Sequence, residues 1–143
     1  MGRRRRIYLV GSLRNPDIPD LANRLEAEGH EVFADWHGAG ADADDSWRDY
    51  ERARGRTYLE ALRGPAARNI FEFDCRWLEW ADTVVVVGRP GLSAALELAW
   101  AVRGGAQGYV LLDGEPERWD CMLQFATEVF LDEELLLAVL EEK

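Results

Sequence analysis

The chain has 143 residues, of which 48% are hydrophobic, and its formal net charge is −10 at neutral pH. This length predicts a single domain over residues 1–143 with a sizeable core. The acidic balance disfavours binding to a nucleic acid polymer or to an anionic membrane surface. No apolar run approaches the roughly 20 residues of a membrane helix, so we expect a cytoplasmic protein that is neither membrane-spanning nor secreted.

The cysteines and histidines do not predict a metal site, and the basic run has an interpretation of its own. Arg3 to Arg6 precede the first predicted strand and are interpreted as a solvated N-terminal arm, with a local role at a phosphate or polyanion as the alternative. Cys75 and Cys121 have no metal-ligand or disulfide spacing, which predicts free thiols. His30 and His37 have no Cys or His at ligand spacing. We therefore expect no bound metal.

Strand and helix patterns alternate along the chain. Strands are predicted at 7–10, 31–34, 84–87, 109–112 and 128–130, and helices at 17–28, 50–63, 66–81, 92–102, 119–126 and 132–142. Residues 35–45 are rich in Asp, Gly and Ala and are interpreted as a long loop that could serve as a lid. The alternation predicts a doubly wound α/β fold, flavodoxin-like or Rossmann-like, with a five-stranded, mainly parallel sheet and helices on both faces.

The stretch from Asp82 to Val102 carries the clearest signal for a site. The four valines 84–87 predict a strand buried on both faces, and the Gly- and Pro-containing segment 88–91 ends it before a helix. The loop between them lies at the carboxyl end of a central strand, where open α/β sheets bind ligands. Glu97 is an ionisable residue in this otherwise apolar helix, which indicates a functional role.

A second carboxylate, Asp74, lies on the helix that precedes the valine strand. It shares a face with Trp77 and Leu78, which predicts that it points toward the sheet edge; an exposed helix charge is the alternative. Two carboxylates that flank one strand suit chemistry at a glycosidic bond, because one can attack the anomeric carbon while the other donates a proton or activates water. Such a pair needs no organic cofactor, and none is expected.

The ends of the first two strands offer contacts for a ligand. Gly11, Ser12 and Arg14 provide backbone amides, a hydroxyl and a guanidinium, which suit a phosphate or carboxylate. The alternative is an ordinary turn in which Arg14 pairs with a surface acid such as Asp17. Trp36, after the second strand, could stack on a nucleobase, and packing at the rim of the core is its alternative.

These segments resemble the nucleoside 2-deoxyribosyltransferases and the related 2'-deoxynucleoside 5'-monophosphate N-glycosidases. The resemblance extends over nearly the whole chain and rests on residues 7–14, 74–82 and 91–98, of which the last is the most specific. It implies that Glu97 is the nucleophile that forms a glycosyl-enzyme intermediate. Asp74 would be the proton donor and acceptor, and Tyr8 would position the carboxylate or the sugar.

The resemblance also implies residues that bind the substrate. Gly11, Ser12 and Arg14 match the 5'-phosphate segment of the monophosphate hydrolases. Gly91 stands where the transferases often hold an Asp that binds a sugar hydroxyl, and Ser93 follows it, which disfavours plain transferase activity.

The C-terminal part of the resemblance concerns a partner subunit. Met122 and Gln124 lie in a segment that in this family can reach into a neighbouring subunit's site, so we expect a homodimer or a higher homo-oligomer. The predicted function is cleavage or transfer of the N-glycosidic bond of a small-molecule 2'-deoxynucleoside or its 5'-monophosphate. One alternative is a pocket that binds a nucleotide or nucleotide-derived signal without cleaving it. A second is a structural protein in which Glu97 is merely buried and paired.

Overall fold

Five parallel strands form the centre of the molecule. The computed structural model describes residues 2–142; Met1 and Lys143, which the single-domain prediction included, lie outside them. The strands are β1 (Arg6–Val10), β2 (Glu31–Phe33), β3 (Thr83–Val87), β4 (Gln107–Leu111) and β5 (Glu128–Phe130). They lie in the order β2-β1-β3-β4-β5, and every neighbouring pair is parallel. This is the flavodoxin-like strand order, so the predicted doubly wound α/β fold is confirmed.

Helices cover both faces of the sheet. They are α1 (Ile18–Ala27), α2 (Ala43–Ala53), α3 (Tyr58–Leu62), α4 (Pro65–Trp80), α5 (Leu92–Arg103) and α6 (Glu133–Glu141), with 3-10 helices at Asp35–Ala39 and Cys121–Phe125. Helices α1 and α6 pack on one face, and α4 and α5 pack on the other. In place of the helix expected at 119–126, the structure has only the 3-10 helix Cys121–Phe125. The predicted cap of the last helix is confirmed, since the Asp132 carboxylate accepts the backbone N–H of Glu134 at 2.8 Å.

The sheet separates two hydrophobic layers because successive side chains of a strand point to opposite faces. Ile7 and Leu9 of β1 pack with α1 and α6, whereas Tyr8 and Val10 pack with α4 and α5. All five residues of β3 are buried, which confirms the strand predicted from its valines. Tyr8 is thus fixed on the same face as the two helices that carry the predicted carboxylates.

The prediction of a long loop at residues 35–45 followed by one helix is wrong. The 3-10 helix Asp35–Ala39 begins two residues after β2, and α2 already begins at Ala43. A turn with Gly55 at φ +73° then separates α2 from α3. Asp44 and Asp45 lie in the first turn of α2, where the partial positive charge of a helix start favours carboxylates. Acidic composition therefore marked a helix start here rather than a loop.

The prediction of a solvated arginine arm before the first strand is wrong for Arg5 and Arg6, although the Arg4 side chain is exposed. Arg6 is the first residue of β1, and Arg5 is only 2% exposed. The Arg5 guanidinium donates to the side chains of Thr83 and Gln107 at 3.1 and 3.0 Å, and Nε donates to the Leu140 carbonyl at 2.8 Å. Its longer bonds go to the carbonyls of Val139 and Glu142. Arg5 thereby joins the end of α6 to the amino edge of the sheet.

Helix length also bears on membrane insertion. Among residues 2–142, every helix is too short or too polar to cross a bilayer.

Candidate active site

The candidate site lies between β1 and β3, where the order in which the chain adds strands changes from one side of the sheet to the other. Connections from β1 and β3 run to opposite sides there, and open α/β sheets bind ligands in the resulting crevice at the carboxyl ends of the strands. A Cβ atom on Gly11 would lie 2.9 Å from Ile18 Cδ1 and 3.2 Å from the Val87 carbonyl oxygen. Glycine therefore allows the loop after β1 to pass close to the end of β3. Gly88, with φ +82°, turns the chain out of β3 toward α5.

Three side chains predicted to carry the chemistry come together on the α4 and α5 face of the sheet. Tyr8 is buried on β1, and Asp74 on α4 and Glu97 on α5 are half-buried. The charges of both carboxylates act on the Tyr8 hydroxyl, and the interaction of this hydroxyl with Glu97 affects the pKa of both groups. We call this group the Tyr8–Asp74–Glu97 cluster. Of the two orientations considered for Asp74, the structure favours the one that points inward.

The Glu97 carboxyl has an unusual protonation equilibrium. Its pKa is raised to about 7: burial is the largest cause, the interaction with the Tyr8 hydroxyl lowers the pKa, and the nearby Asp74 charge raises it. Its Oε2 atom is buried and has no hydrogen-bond partner among residues 2–142. A buried carboxyl with one oxygen unpaired is disfavoured in a purely structural role. It is suited to contact a ligand atom.

Asp74 and Tyr8 complete the protonation pattern. Burial raises the pKa of the Asp74 carboxyl above its ordinary value. Burial, followed by the charges of Glu97 and Asp74, also raises the pKa of the Tyr8 hydroxyl, which therefore stays protonated and can donate a hydrogen bond. Because the two carboxyls repel each other when both are ionised, protonation of one favours ionisation of the other. The pair can thus hold a single proton near neutral pH.

An aromatic layer that was not recognised from the sequence holds α4 against β1 and β2. Phe33 on β2 stacks on Trp77 with ring centroids 4.2 Å apart and an angle of 2° between the planes. Phe33 also packs against Tyr8 at 5.5 Å and against Phe73 at 5.9 Å. Since Phe73 and Trp77 flank Asp74 on α4, this layer fixes the height of that carboxyl above the sheet. In the sequence, the spacing of Phe73 and Trp77 by four residues, which places both on one helix face, was the pattern that could have indicated this layer.

Trp36 lies at the rim of the same crevice. Its indole Nε1 donates to the Leu9 carbonyl at 2.7 Å, and its ring packs against both hydrophobic layers. Since β2 ends at Phe33, Trp36 supplies a hydrogen-bond donor to β1 where the neighbouring strand has stopped. These contacts match the packing interpretation of Trp36. Stacking on a nucleobase stays a prediction.

The segment after β1 that was predicted to bind a phosphate is exposed at Ser12 and Arg14. The Ser12 hydroxyl accepts the backbone N–H of Arg14 at 3.1 Å, which shapes the turn. The Arg14 guanidinium makes no ion pair with any residue in the range 2–142, so the alternative of an Arg14–Asp17 pair is not formed. Across the crevice, a Cβ on Gly91 would meet no atom within 4 Å, and Ser93 is exposed in the first turn of α5. Contact of either residue with a ligand stays a prediction.

The structure does not bring Met122 and Gln124 to this cluster. Both are exposed on the connection between β4 and β5, and the Gln124 side chain donates to the Cys121 carbonyl at 3.1 Å. Gln124 also lines an open cavity of about 380 Å³ beside β5. Any role of these residues in a neighbouring subunit's site stays a prediction.

Metal-binding side chains do not cluster at the crevice. Within residues 2–142 there is no group of three or more His, Cys, Asp or Glu side chains that could hold a metal ion. Cys75 and Cys121 are free, as predicted.

Comparison with known proteins bears on the fold. No family model and no curated protein matches the chain. A solved structure of a 2-deoxyribosyltransferase from the psychrotolerant bacterium Bacillus psychrosaccharolyticus is similar, with a TM-score of 0.62 and 19% sequence identity over 96% of each chain. That enzyme is described as a biocatalyst for the synthesis of antiviral and antitumoral nucleosides. The fold implied by the sequence resemblance is therefore confirmed.

Proposed function

We propose that this chain is an enzyme that breaks the N-glycosidic bond of a 2'-deoxynucleoside or its 5'-monophosphate. The Tyr8–Asp74–Glu97 cluster carries the proposal, because it combines a buried carboxyl with a free oxygen, a second carboxyl of raised pKa and a hydroxyl donor. The motif resemblance and the fold shared with a 2-deoxyribosyltransferase support it. No metal or organic cofactor takes part in the proposed reaction.

In the first step of the proposed reaction, Glu97 acts as the nucleophile. A carboxylate oxygen of Glu97 forms a bond to C1' of the deoxyribose as the bond from C1' to the base nitrogen breaks. The electron pair of the broken bond stays with the base, which takes the proton of the Asp74 carboxyl. In the second step Asp74 accepts a proton from water, the oxygen of that water binds C1', and Glu97 is released. A second base in place of water would give transfer instead of hydrolysis.

Tyr8 has a positioning role in this scheme. The reactive form of the pair has Glu97 ionised and Asp74 protonated, and it contains the same single proton as the opposite arrangement. A hydrogen bond from the Tyr8 hydroxyl stabilises the ionised form of Glu97, and it thereby increases the fraction of the pair in the reactive arrangement. It also orients the carboxyl toward the crevice.

The proposed substrate of choice is the 5'-monophosphate. Arg14 is exposed beside the crevice without an acidic partner among residues 2–142, and a guanidinium can bind phosphate through two parallel hydrogen bonds. Gly91 has no side chain where transferases of the resembled family often hold a sugar-binding Asp. Both features favour hydrolysis of a nucleotide over base exchange on a free nucleoside.

Self-association forms part of the proposal. Leu92, Leu96 and Trp100 form a stripe at a spacing of four residues along α5 and are 79%, 63% and 51% exposed. Met122 and Phe125, on the connection that also packs on this face, are exposed as well. Contiguous exposed apolar side chains of this kind indicate an interface, and a second copy of the chain would cover them. Met122 and Gln124 would then lie where they can approach a neighbouring subunit's crevice.

A substrate panel tests the proposed function. The protein is incubated with 2'-deoxynucleosides, their 5'-monophosphates and the matching ribonucleotides, and free base is measured by chromatography. We expect free base from the deoxy compounds, with the monophosphates preferred. Binding of a nucleotide in a thermal shift assay without release of base from any compound would favour the non-catalytic binding pocket instead.

A further inference from the structure

Arginines lie in both loops that border the crevice. Arg14 is in the loop after β1, and Arg89 is in the loop after β3. These strands are direct neighbours, and the loops meet where a Cβ on Gly11 would be 3.2 Å from the Val87 carbonyl oxygen. Arg14 is three residues beyond this contact and Arg89 is two. At no more than about 3.6 Å per residue, both backbones stay within about 11 Å of the same point.

Arg89 is not engaged elsewhere in the fold. It is exposed, and its guanidinium forms neither an ion pair nor a hydrogen bond with any residue in the range 2–142, which also holds for the Arg14 guanidinium. Arg5, Arg24 and Arg56 differ in this respect, because each is held by side chains or carbonyls of the protein. The structural roles that account for those arginines therefore do not account for Arg89.

The charges around Arg89 contrast with the rest of the chain. The sequence contains 27 Asp and Glu residues and has a net charge of −10, yet segments 11–14 and 88–93 contain two arginines and no acid. The first turn of α5 also lacks an acidic residue. Asp17, at the start of α1, is the acid that follows Arg14, and it does not pair with it. Screening over about 8–10 Å in physiological salt weakens the effect of distant acids, so an anion beyond the Asp74 and Glu97 carboxyls can interact with these two arginines.

We propose that Arg89 is a specificity-determining residue that, together with Arg14, binds the phosphate monoester of a nucleotide substrate. This inference rests on the proposed function and adds a second cation to it. A 5'-phosphate carries up to two negative charges and three acceptor oxygens, so guanidiniums from opposite sides of the crevice can share it. A free nucleoside has no group for them to bind, and the two arginines thus select nucleotide over nucleoside.

Kinetics with paired substrates test the role of Arg89. The ratio of kcat/KM for a 2'-deoxynucleoside 5'-monophosphate to that for the same nucleoside is measured in the parent, Arg89→Ala and Arg89→Lys. We expect Arg89→Ala to lower kcat/KM for the monophosphate about 10- to 100-fold and to leave the nucleoside value unchanged. Arg89→Lys should retain part of the preference. The control Arg103→Ala, at the far end of α5, should change neither value.

Binding data separate failure of this inference from failure of the proposed function. The affinity for the same deoxynucleoside 5'-monophosphate is measured by calorimetry in parent and Arg89→Ala, whether or not base is released. Weaker binding by Arg89→Ala supports the inference even in a protein that does not cleave the nucleotide. Equal affinity in the two proteins, no binding by the parent, or equal losses for nucleotide and nucleoside would overturn it.

Discussion

The hydroxyl of Tyr8 on β1 interacts with the carboxyl of Glu97 on α5 across one face of the sheet. This contact lowers the pKa of Glu97, whereas burial and the Asp74 charge raise it, and the balance lies at about 7. It depends on the strand order, because α5 follows β3 and β3 is the neighbour of β1. The strand order thus places beside the proposed nucleophile the hydroxyl that lowers its pKa.

Replacing Tyr8 by Phe should lower activity and change its pH dependence. Tyr8 is buried, and Phe keeps the ring packing while it removes the hydroxyl that favours ionised Glu97. A charge-assisted hydrogen bond contributes about 1.5–3 kcal/mol, so the maximal rate of base release should fall roughly 10- to 100-fold. Tyr109→Phe is the control, because it also removes a tyrosine hydroxyl, but one that donates to Gln107 and lies outside the proposed site.

The pH profile gives this substitution a distinctive signature. In the parent, the reactive form holds one proton on the Asp74–Glu97 pair, so kcat/KM should fall as the pH rises above about 7 and that proton is lost. It should also fall in acid, where both carboxyls are protonated. Because Tyr8→Phe removes an effect that lowers the pKa of Glu97, the upper limb should move to higher pH. An upper limb that stays in place or moves to lower pH would contradict this role for Tyr8.

Arg5 should be essential for stability. Arg5→Leu removes hydrogen bonds to Thr83, Gln107 and the Leu140 carbonyl, and it leaves buried polar groups without partners. At about 1–3 kcal/mol for each unpaired group, we expect a loss of about 3–5 kcal/mol in the free energy of unfolding, measured in urea. Arg4→Leu, which removes an exposed ion pair with Glu31, should cost less than about 1 kcal/mol. Similar losses in both variants would argue against the buried role of Arg5.

His30 should make stability depend on pH. Burial lowers its pKa and the Arg5 charge adds to that effect, whereas Glu141, Glu28 and Asp82 oppose it. A lowered pKa in the folded state means that the unfolded chain binds the proton more readily. The contribution of neutral His30 is therefore present above the ordinary pKa of about 6.5 and is lost as the pH falls below it.

The His30 effect is measured as a difference between two proteins. His30→Asn keeps an acceptor for the Arg5 backbone N–H but removes the titrating ring. The difference in unfolding free energy between parent and variant should be larger at pH 8 than at pH 5. A difference that grows on acidification would show that protonation stabilises the folded state, which is opposite to the effect of a lowered His30 pKa.

The helix α5 and its neighbours show what local sequence can predict. Four valines in a row predict a doubly buried strand, and the glycines after them predict its end, because these signals depend on residues close in the chain. Glu97 was identified in the same way, as an acid among apolar residues. That Tyr8 and Asp74 meet it was implied by the family resemblance and, for Asp74, by its place on the helix before the valine strand, and only the packed fold brings the three side chains together.

Residues whose partners are distant in the chain were predicted incorrectly or were not recognised. Arg5 lies in a run of four arginines that is typical of an exposed arm, and its carbonyl acceptor on Leu140 is 135 positions away. The aromatic layer around Phe33 likewise joins a strand to a helix some 40 residues later in the chain. No local pattern contains such pairings. Helix α2 was missed for a different reason, because its acidic first turn was interpreted as loop composition.

Trp100 should be required for self-association. It is half-exposed on α5 within the apolar stripe, and Trp100→Asp places a charge in the proposed interface. We expect the parent to sediment as a dimer or larger assembly and the variant to shift toward the 16.2 kDa monomer. Leu135→Asp, on α6 at the opposite face of the sheet, is the control and should stay assembled. A parent that is monomeric at all concentrations would exclude this interface.

Release of free base by Glu97→Gln is the most direct test of the proposed chemistry. Gln keeps the shape of Glu97 but cannot act as the nucleophile, so base release from the preferred deoxy substrate should fall at least about 1,000-fold in chromatographic assays. Glu79→Gln, a substitution of an exposed acid on α4, should retain the parent rate. If Glu97→Gln released base as fast as the parent, Glu97 would not be the nucleophile and the proposed mechanism would be wrong.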